Sequence, residues 1–135
     1  MKLPVSMAWY RAASTFLKPF LGVYLAFRKK KGKEDLERFP ERLGLAEKKR
    51  PAGELLWIHG ASVGETLSAL PLIDALLKKY PALHIMVTSG TVTSACLLEK
   101  RLPKRAFHQY IPIDCFPFVR RFVAVSYTHL RAHET

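Results

Sequence analysis

From residue 51 to residue 124 the apolar positions alternate between short runs and longer stretches at helical spacing. Leu55–His59 (LLWIH) is a compact apolar run bounded by Gly53 and Gly60, which predicts a strand buried on both faces. Glu65–Tyr80 then places Leu67, Leu70, Ile73, Ala75, Leu76 and Leu77 mainly on one side of a helix. Lys78 and Lys79 fall in its last turn, where they complement the helix dipole, and Pro71 marks a place for a kink. His84–Thr88 (HIMVT) predicts a second strand and Thr93–Leu102 a helix that stops before Pro103. Phe107–Ile111 predicts a third strand, and Phe116–Val123 a short helix. Strands alternating with helices predict an α/β, Rossmann-like parallel sheet with right-handed crossovers. A sheet of three strands is expected to have an exposed edge and to be marginal alone.

The pattern changes before residue 51. Residues 3–27 are mostly apolar and aromatic, yet contain Arg11 and Lys18. On a helix, Arg11, Ser14, Thr15, Lys18 and Gly22 share one stripe, opposite Ala12, Ala13, Phe16, Leu17, Phe20, Leu21 and Tyr24. Two charges near the middle of a membrane span cost about 2.5–3.5 kcal/mol each, so a helix lying in the membrane surface is expected, its charges meeting head groups. The alternatives are a spanning helix and an amphipathic helix packed on its own domain. A signal peptide lacks support, because no clean apolar block follows a compact basic start. Arg28, Lys29, Lys30, Lys31 and Lys33 come next. Beside a span they put the rest of the chain in the cytoplasm; on a surface helix they grip anionic lipid at about 1 kcal/mol each. Glu34–Gly44 predicts a short helix interrupted at Pro40 and ended by Gly44, and Arg50–Gly53 a turn. The organisation expected is an anchor helix over 1–27, a basic linker with a short helix over 28–50, and part of a lobe over 51–124.

Charge sharpens this picture. The 135 residues carry 22 Lys and Arg against 11 Asp and Glu, a formal charge of +11, which favours anionic partners. A nucleic-acid binder is disfavoured, because Glu34, Asp35, Glu37, Glu41 and Glu47 dilute the basic stretch and no nucleic-acid motif accompanies it. Cys96 and Cys115 lie on different elements without CxxC spacing, which predicts two reduced thiols and no metal site. The final residues, Val125–Thr135, resemble the in-frame translation of a common transposase sequencing adapter. They are set aside as artefactual, so His129 and His133 are not read as a metal pair, and the natural chain is expected to continue beyond Ala124.

In parallel sheets ligands bind beyond the carboxyl ends of the strands. Three segments fall there: Gly60–Glu65, Ser89–Ser94 and Pro112–Asp114. In the first, small residues permit a sharp turn and Gly64 allows a ligand close approach. Ser62 is placed to cap the helix, and Glu65 stands in its first turn, where free amides and the dipole favour a charged carboxylate. Such a group serves either as a general base toward a hydroxyl or simply as a helix-terminal charge. Gly60-Ala61-Ser62-Val63-Gly64 also satisfies Gly-x-Ser-x-Gly, so a serine hydrolase with Ser62 as nucleophile is a rival reading. Against it, the motif follows the first strand, and the only histidine after it outside the tail, apart from His84, is His108.

The run WIHGASVGETLSALPLI, followed by VTSGTVTSA, RLPK, HQYIPID and VRRF, and preceded by ERLG, resembles Kdo (3-deoxy-D-manno-octulosonic acid) transferases. Each motif alone is weak; their shared order and spacing is specific. Gly60 stands where family members often carry Ala, Ser or Thr, a departure expected to be tolerated. The resemblance implies a two-lobed GT-B glycosyltransferase, of which this chain supplies most of the acceptor-binding lobe. It implies Glu65 as general base, deprotonating a glucosamine hydroxyl of the lipid A precursor for inverting attack on CMP-Kdo. It also implies acceptor or sugar contacts from Ser62, Gly64, Ser89, Gly90, Thr91 and Thr93, although caps and turns account for the same residues. No metal or other cofactor is implied, and the location is the cytoplasmic face of the bacterial inner membrane. Arg120 and Arg121 are assigned to a solvated helix face. The family's later Glu-x-Trp-Pro-Asn stretch and its CMP-Kdo-binding second lobe lie outside this sequence, so this polypeptide by itself is expected to be inactive.

Overall fold

The computed structural model describes residues 5–124. The tail from Val125 lies outside the described residues. Three parallel strands, β1 (Leu55–His59), β2 (His84–Ser89) and β3 (Ala106–Tyr110), form one sheet in the order β1-β2-β3. Two crossover helices, called α4 (Val63–Lys79) and α5 (Val92–Arg101) because three helices precede them, pack on each other and so share one face. Ile73 and Leu77 of α4, Ile85 and Val87 of β2 and Leu98 of α5 fill the space between, with Leu83 at its margin. Each such side chain removed from water contributes roughly 1.5–3 kcal/mol. Helix α4 runs unbroken through Pro71, which is exposed, so the carbonyl left without its amide partner faces solvent.

The opposite face of the sheet is covered by α6 (Phe116–Phe122), whose Phe122 ring lies 5.2 Å from that of Trp57. Gly44 approaches α6 so closely that a Cβ there would stand 2.3 Å from the Phe118 carbonyl oxygen, and its φ is +77°. That residue follows α3 (Phe39–Arg42), a helix of one turn. Pro40 sits in the first turn of α3 and starts it, where a missing N–H costs nothing, instead of interrupting a longer helix.

The edge of β3 is closed rather than exposed. Arg38 donates to the His108 carbonyl at 3.1 Å, and the Tyr110 amide donates to the Glu41 carboxylate at 2.8 Å. Arg42 donates to the Ile111 carbonyl, while its own carbonyl accepts from the Ile113 amide at 2.8 Å. Glu41, only 1 % exposed, is neutralised by Arg38 at 2.8 Å. Glu34 is likewise buried and takes Arg28 at 2.6 Å. The segment expected as a basic linker therefore uses its charges to satisfy a sheet edge, a device that also blocks strand addition there.

At the N-terminus α1 (Val5–Phe16) and α2 (Lys18–Lys30) follow each other through Leu17, which keeps helical angles. Their polar stripe runs beside α6, with Arg11, Thr15, Lys18 and Gly22 still exposed. Ser14 is buried, Tyr10 bonds Asp114, the Arg11 guanidinium lies 4.7 Å from the Phe116 ring, and the Lys18 ammonium 5.9 Å from that of Phe118. The outward stripe is apolar: Val5, Trp9, Phe16, Phe20, Val23 and Phe27 are each more than half exposed. Among the described residues, no helix is long and apolar enough to cross a membrane.

Candidate active site at the carboxyl edge of the sheet

The turn after β1 is shaped by one close approach. A Cβ on Gly60 would stand 2.6 Å from Thr66 Cγ2, and Thr66 is fully buried, so glycine lets α4 start directly above the strand end. The Gly60 amide donates to the Thr88 carbonyl at 3.0 Å, extending the ladder by one bond. Ser62 follows in extended geometry (φ −125°, ψ 164°) as the N-cap of α4, its hydroxyl accepting from the Glu65 amide at 3.2 Å. The Glu65 side chain folds back, and its Oε2 accepts from the Ala61 amide at 2.8 Å. This is a capping box displaced by one residue. Glu65 is exposed, and Oε1 makes no hydrogen bond among the described residues. The carboxylate is thus held by one oxygen and open to solvent at the other, with Ser62 and Gly64 exposed beside it.

The turn after β2 repeats the cap. Thr91 (φ −124°, ψ 146°) accepts from the Ser94 amide at 3.2 Å. Thr93 is exposed in the first turn of α5, and Gly90 is half-buried. Ser89 does not reach the surface. It is 1 % exposed and its hydroxyl lies 2.8 Å from His108 Nε2, so as placed it braces β2 against β3. Burial, reinforced by the charges of Arg38 and Lys48, pushes His108 down to about 3, and the ring is neutral at pH 7.

The hydrolase reading fails on geometry. Ser62 has ordinary extended angles, and among the described residues no non-glycine residue has a positive φ and no histidine bonds the Ser62 hydroxyl, which is engaged as a cap. The Ser–His contact lies elsewhere, at buried Ser89. Both cysteines are unpaired, Cys96 exposed and Cys115 buried, and no group of three metal-ligating side chains occurs among the described residues. Arg120 and Arg121 are exposed, and Arg121 also donates to the Leu43 carbonyl at 3.2 Å. A concavity of about 570 Å³ is lined by Arg11 and Phe16 among others and one of 330 Å³ by α2, Phe39 and Phe118; neither is lined by a residue of the two strand-to-helix turns.

A family profile described as 3-deoxy-D-manno-octulosonic-acid transferase (kdotransferase) matches residues 37–130, most of the chain. The chain belongs to the Kdo transferase family. Among curated relatives, the Kdo transferase of Rickettsia bellii is 40% identical over 117 residues, covering 87% of this chain and 28% of its own length. That of Haemophilus influenzae is 30% identical over 117 residues, 85% of this chain and 27% of the relative. A probable mitochondrial Kdo transferase of Arabidopsis thaliana is 32% identical over 114 residues, 84% of this chain and 26% of the relative. The chain thus spans just over a quarter of the length of these relatives. No solved structure matches it. Within the Kdo transferase match lie both strand-to-helix turns, the caps Ser62 and Thr91, and Glu65. It also takes in Arg38, Glu41 and Arg42, whose part in closing β3 the sequence reading did not identify. The signal available was Arg38, Glu41 and Arg42 at spacings of three and four.

Proposed function

We propose that this chain forms most of the acceptor-binding lobe of a Kdo transferase, with Glu65 as its general base. Glu65 Oε1 takes the proton of a glucosamine hydroxyl on the lipid A precursor. The oxygen forms its bond to the anomeric carbon of Kdo as the bond from that carbon to CMP breaks, CMP leaving with the electron pair and the centre inverting. The proton then passes from Glu65 to solvent. The CMP-Kdo itself is held by a second lobe, completing a GT-B architecture, and no metal is required because the leaving group is a nucleoside monophosphate. Ser62, Gly64, Gly90, Thr91 and Thr93 line the acceptor's side of the cleft. What carries this reading is the open Glu65 carboxylate at the carboxyl edge of a parallel sheet in a chain of this family.

The outward apolar stripe of α1 and α2 supports a membrane-surface location on the cytoplasmic face, where the lipid acceptor resides. The aromatic and aliphatic residues enter the head-group boundary, and exposed Lys30, Lys31 and Lys33 meet anionic lipid. The complete enzyme is expected to transfer radiolabelled Kdo from CMP-Kdo to lipid A precursor in anionic liposomes. Replacing Phe16 and Phe20 by Ser should release it from those liposomes while leaving thermal stability unchanged. Absence of any Kdo incorporation by the complete enzyme would overturn the reading.

A further inference from the structure

The end of β1 holds a hydrogen-bond relay that fixes a proton on one atom. Trp57 and His59 alternate onto the same face of β1, and Thr88 is the residue paired with His59 across the ladder. Thr88 Oγ1 lies 2.8 Å from Trp57 Nε1 and 3.0 Å from His59 Nδ1. An indole nitrogen only donates, so Thr88 accepts from Trp57. Thr88 is fully buried and makes no other side-chain hydrogen bond among the described residues. Its single proton therefore has one acceptor within reach, His59 Nδ1. Were Nδ1 protonated instead, the threonine hydrogen would be a buried donor without a partner. A neutral His59 ring consequently carries its proton on Nε2. His59 is exposed and is the last residue of β1, directly preceding the turn that bears Ser62 and Glu65.

We propose that His59 is an acceptor-binding residue whose fixed Nε2–H donates to an oxygen of the acceptor sugar, Trp57 and Thr88 acting as positioning residues through it. The role rests on the acceptor lobe assigned above; the tautomer rests on hydrogen-bond geometry alone. A donor of invariant orientation at this point holds one sugar oxygen while the Glu65 carboxylate faces the hydroxyl that reacts.

Long-range proton–nitrogen NMR of the 135-residue chain, labelled with ¹⁵N-histidine and recorded at about pH 8 where free imidazole is neutral, reads the tautomer directly. The expected result is Nε2–H alone for His59. Thr88→Val should convert it to a mixture, because the hydroxyl that donates to Nδ1 is gone; Thr88→Ser, which keeps the hydroxyl, should not. An Nδ1–H ring, or a mixture in the unsubstituted chain, overturns the proposal whether or not the variants fold. In the complete transferase, His59→Asn puts its amide at the Nδ1 position and should raise the acceptor KM by about tenfold, one hydrogen bond's worth. His59→Gln restores an N–H at the Nε2 position and should recover most of that loss. Equal effects of Asn and Gln would remove His59 from acceptor binding. Loss of Kdo transfer altogether as the activity would instead strike the assigned function and leave the tautomer result standing.

Discussion

The two strand-to-helix turns of this lobe are built alike and differ in what they present. Each begins with a glycine after a parallel strand and continues to a hydroxyl N-cap in the same extended geometry, Ser62 or Thr91. In each the cap accepts from the amide three residues on at 3.2 Å. The third helical residue separates them. After β2 it is Ser94, fully buried; after β1 it is Glu65, exposed, with one oxygen on the Ala61 amide and the other open. The shared parts are helix termination, which any such turn requires. The feature they do not share is the open carboxylate of Glu65, on which the proposed general base rests.

The comparison can be broken at the glycines first. Gly60→Ala must displace buried Thr66 and should cost about 1–3 kcal/mol in a denaturation experiment, with Thr66→Ser, which removes the obstructing methyl, recovering part of it. Gly90→Ala should be close to neutral, since its added carbon meets Ile111 and Arg42 only at 3.7 and 3.9 Å. Equal costs at the two positions would show that the turns are not distinguished by packing. A larger residue at position 60 would therefore require a smaller neighbour at position 66. A smaller effect comes from the caps. Ser62→Ala and Thr91→Ala should each lower stability by about 1 kcal/mol, the usual value of an N-cap hydroxyl, by similar amounts in thermal melts of the same chain. A loss confined to one of them would mean that the two hydroxyls do different work.

The sheet and its crossovers were legible because period carries that information. The run LLWIH becomes a strand with the bounds expected, although as an edge strand it is half-exposed instead of buried on both faces, and the other elements between residues 63 and 122 fall within two residues of their expected ends. The orientation of the first helices was not legible. Periodicity places Arg11, Ser14 and Lys18 on one stripe, but does not say what meets it; here Ser14 is buried, and Phe116 and Phe118, about a hundred residues away, lie against Arg11 and Lys18, which stay exposed. The closed edge of β3 was hidden for the same reason. Glu41 reads as one more surface charge until Tyr110, 69 residues away, supplies an amide and Arg38 a counter-charge. At the site, the caps were legible from local spacing. Burial of Ser89 was not, because it depends on His108 of the neighbouring strand.

The most direct test of the account is the single-turnover rate of Kdo transfer by the complete enzyme carrying Glu65→Gln. Glutamine still accepts from the Ala61 amide, so the turn persists while basicity is lost. A fall of about 10²–10⁴-fold in rate, with unchanged thermal stability and unchanged acceptor affinity, is the result predicted. A rate within a few-fold of the unsubstituted enzyme would contradict it and leave Glu65 as a helix cap.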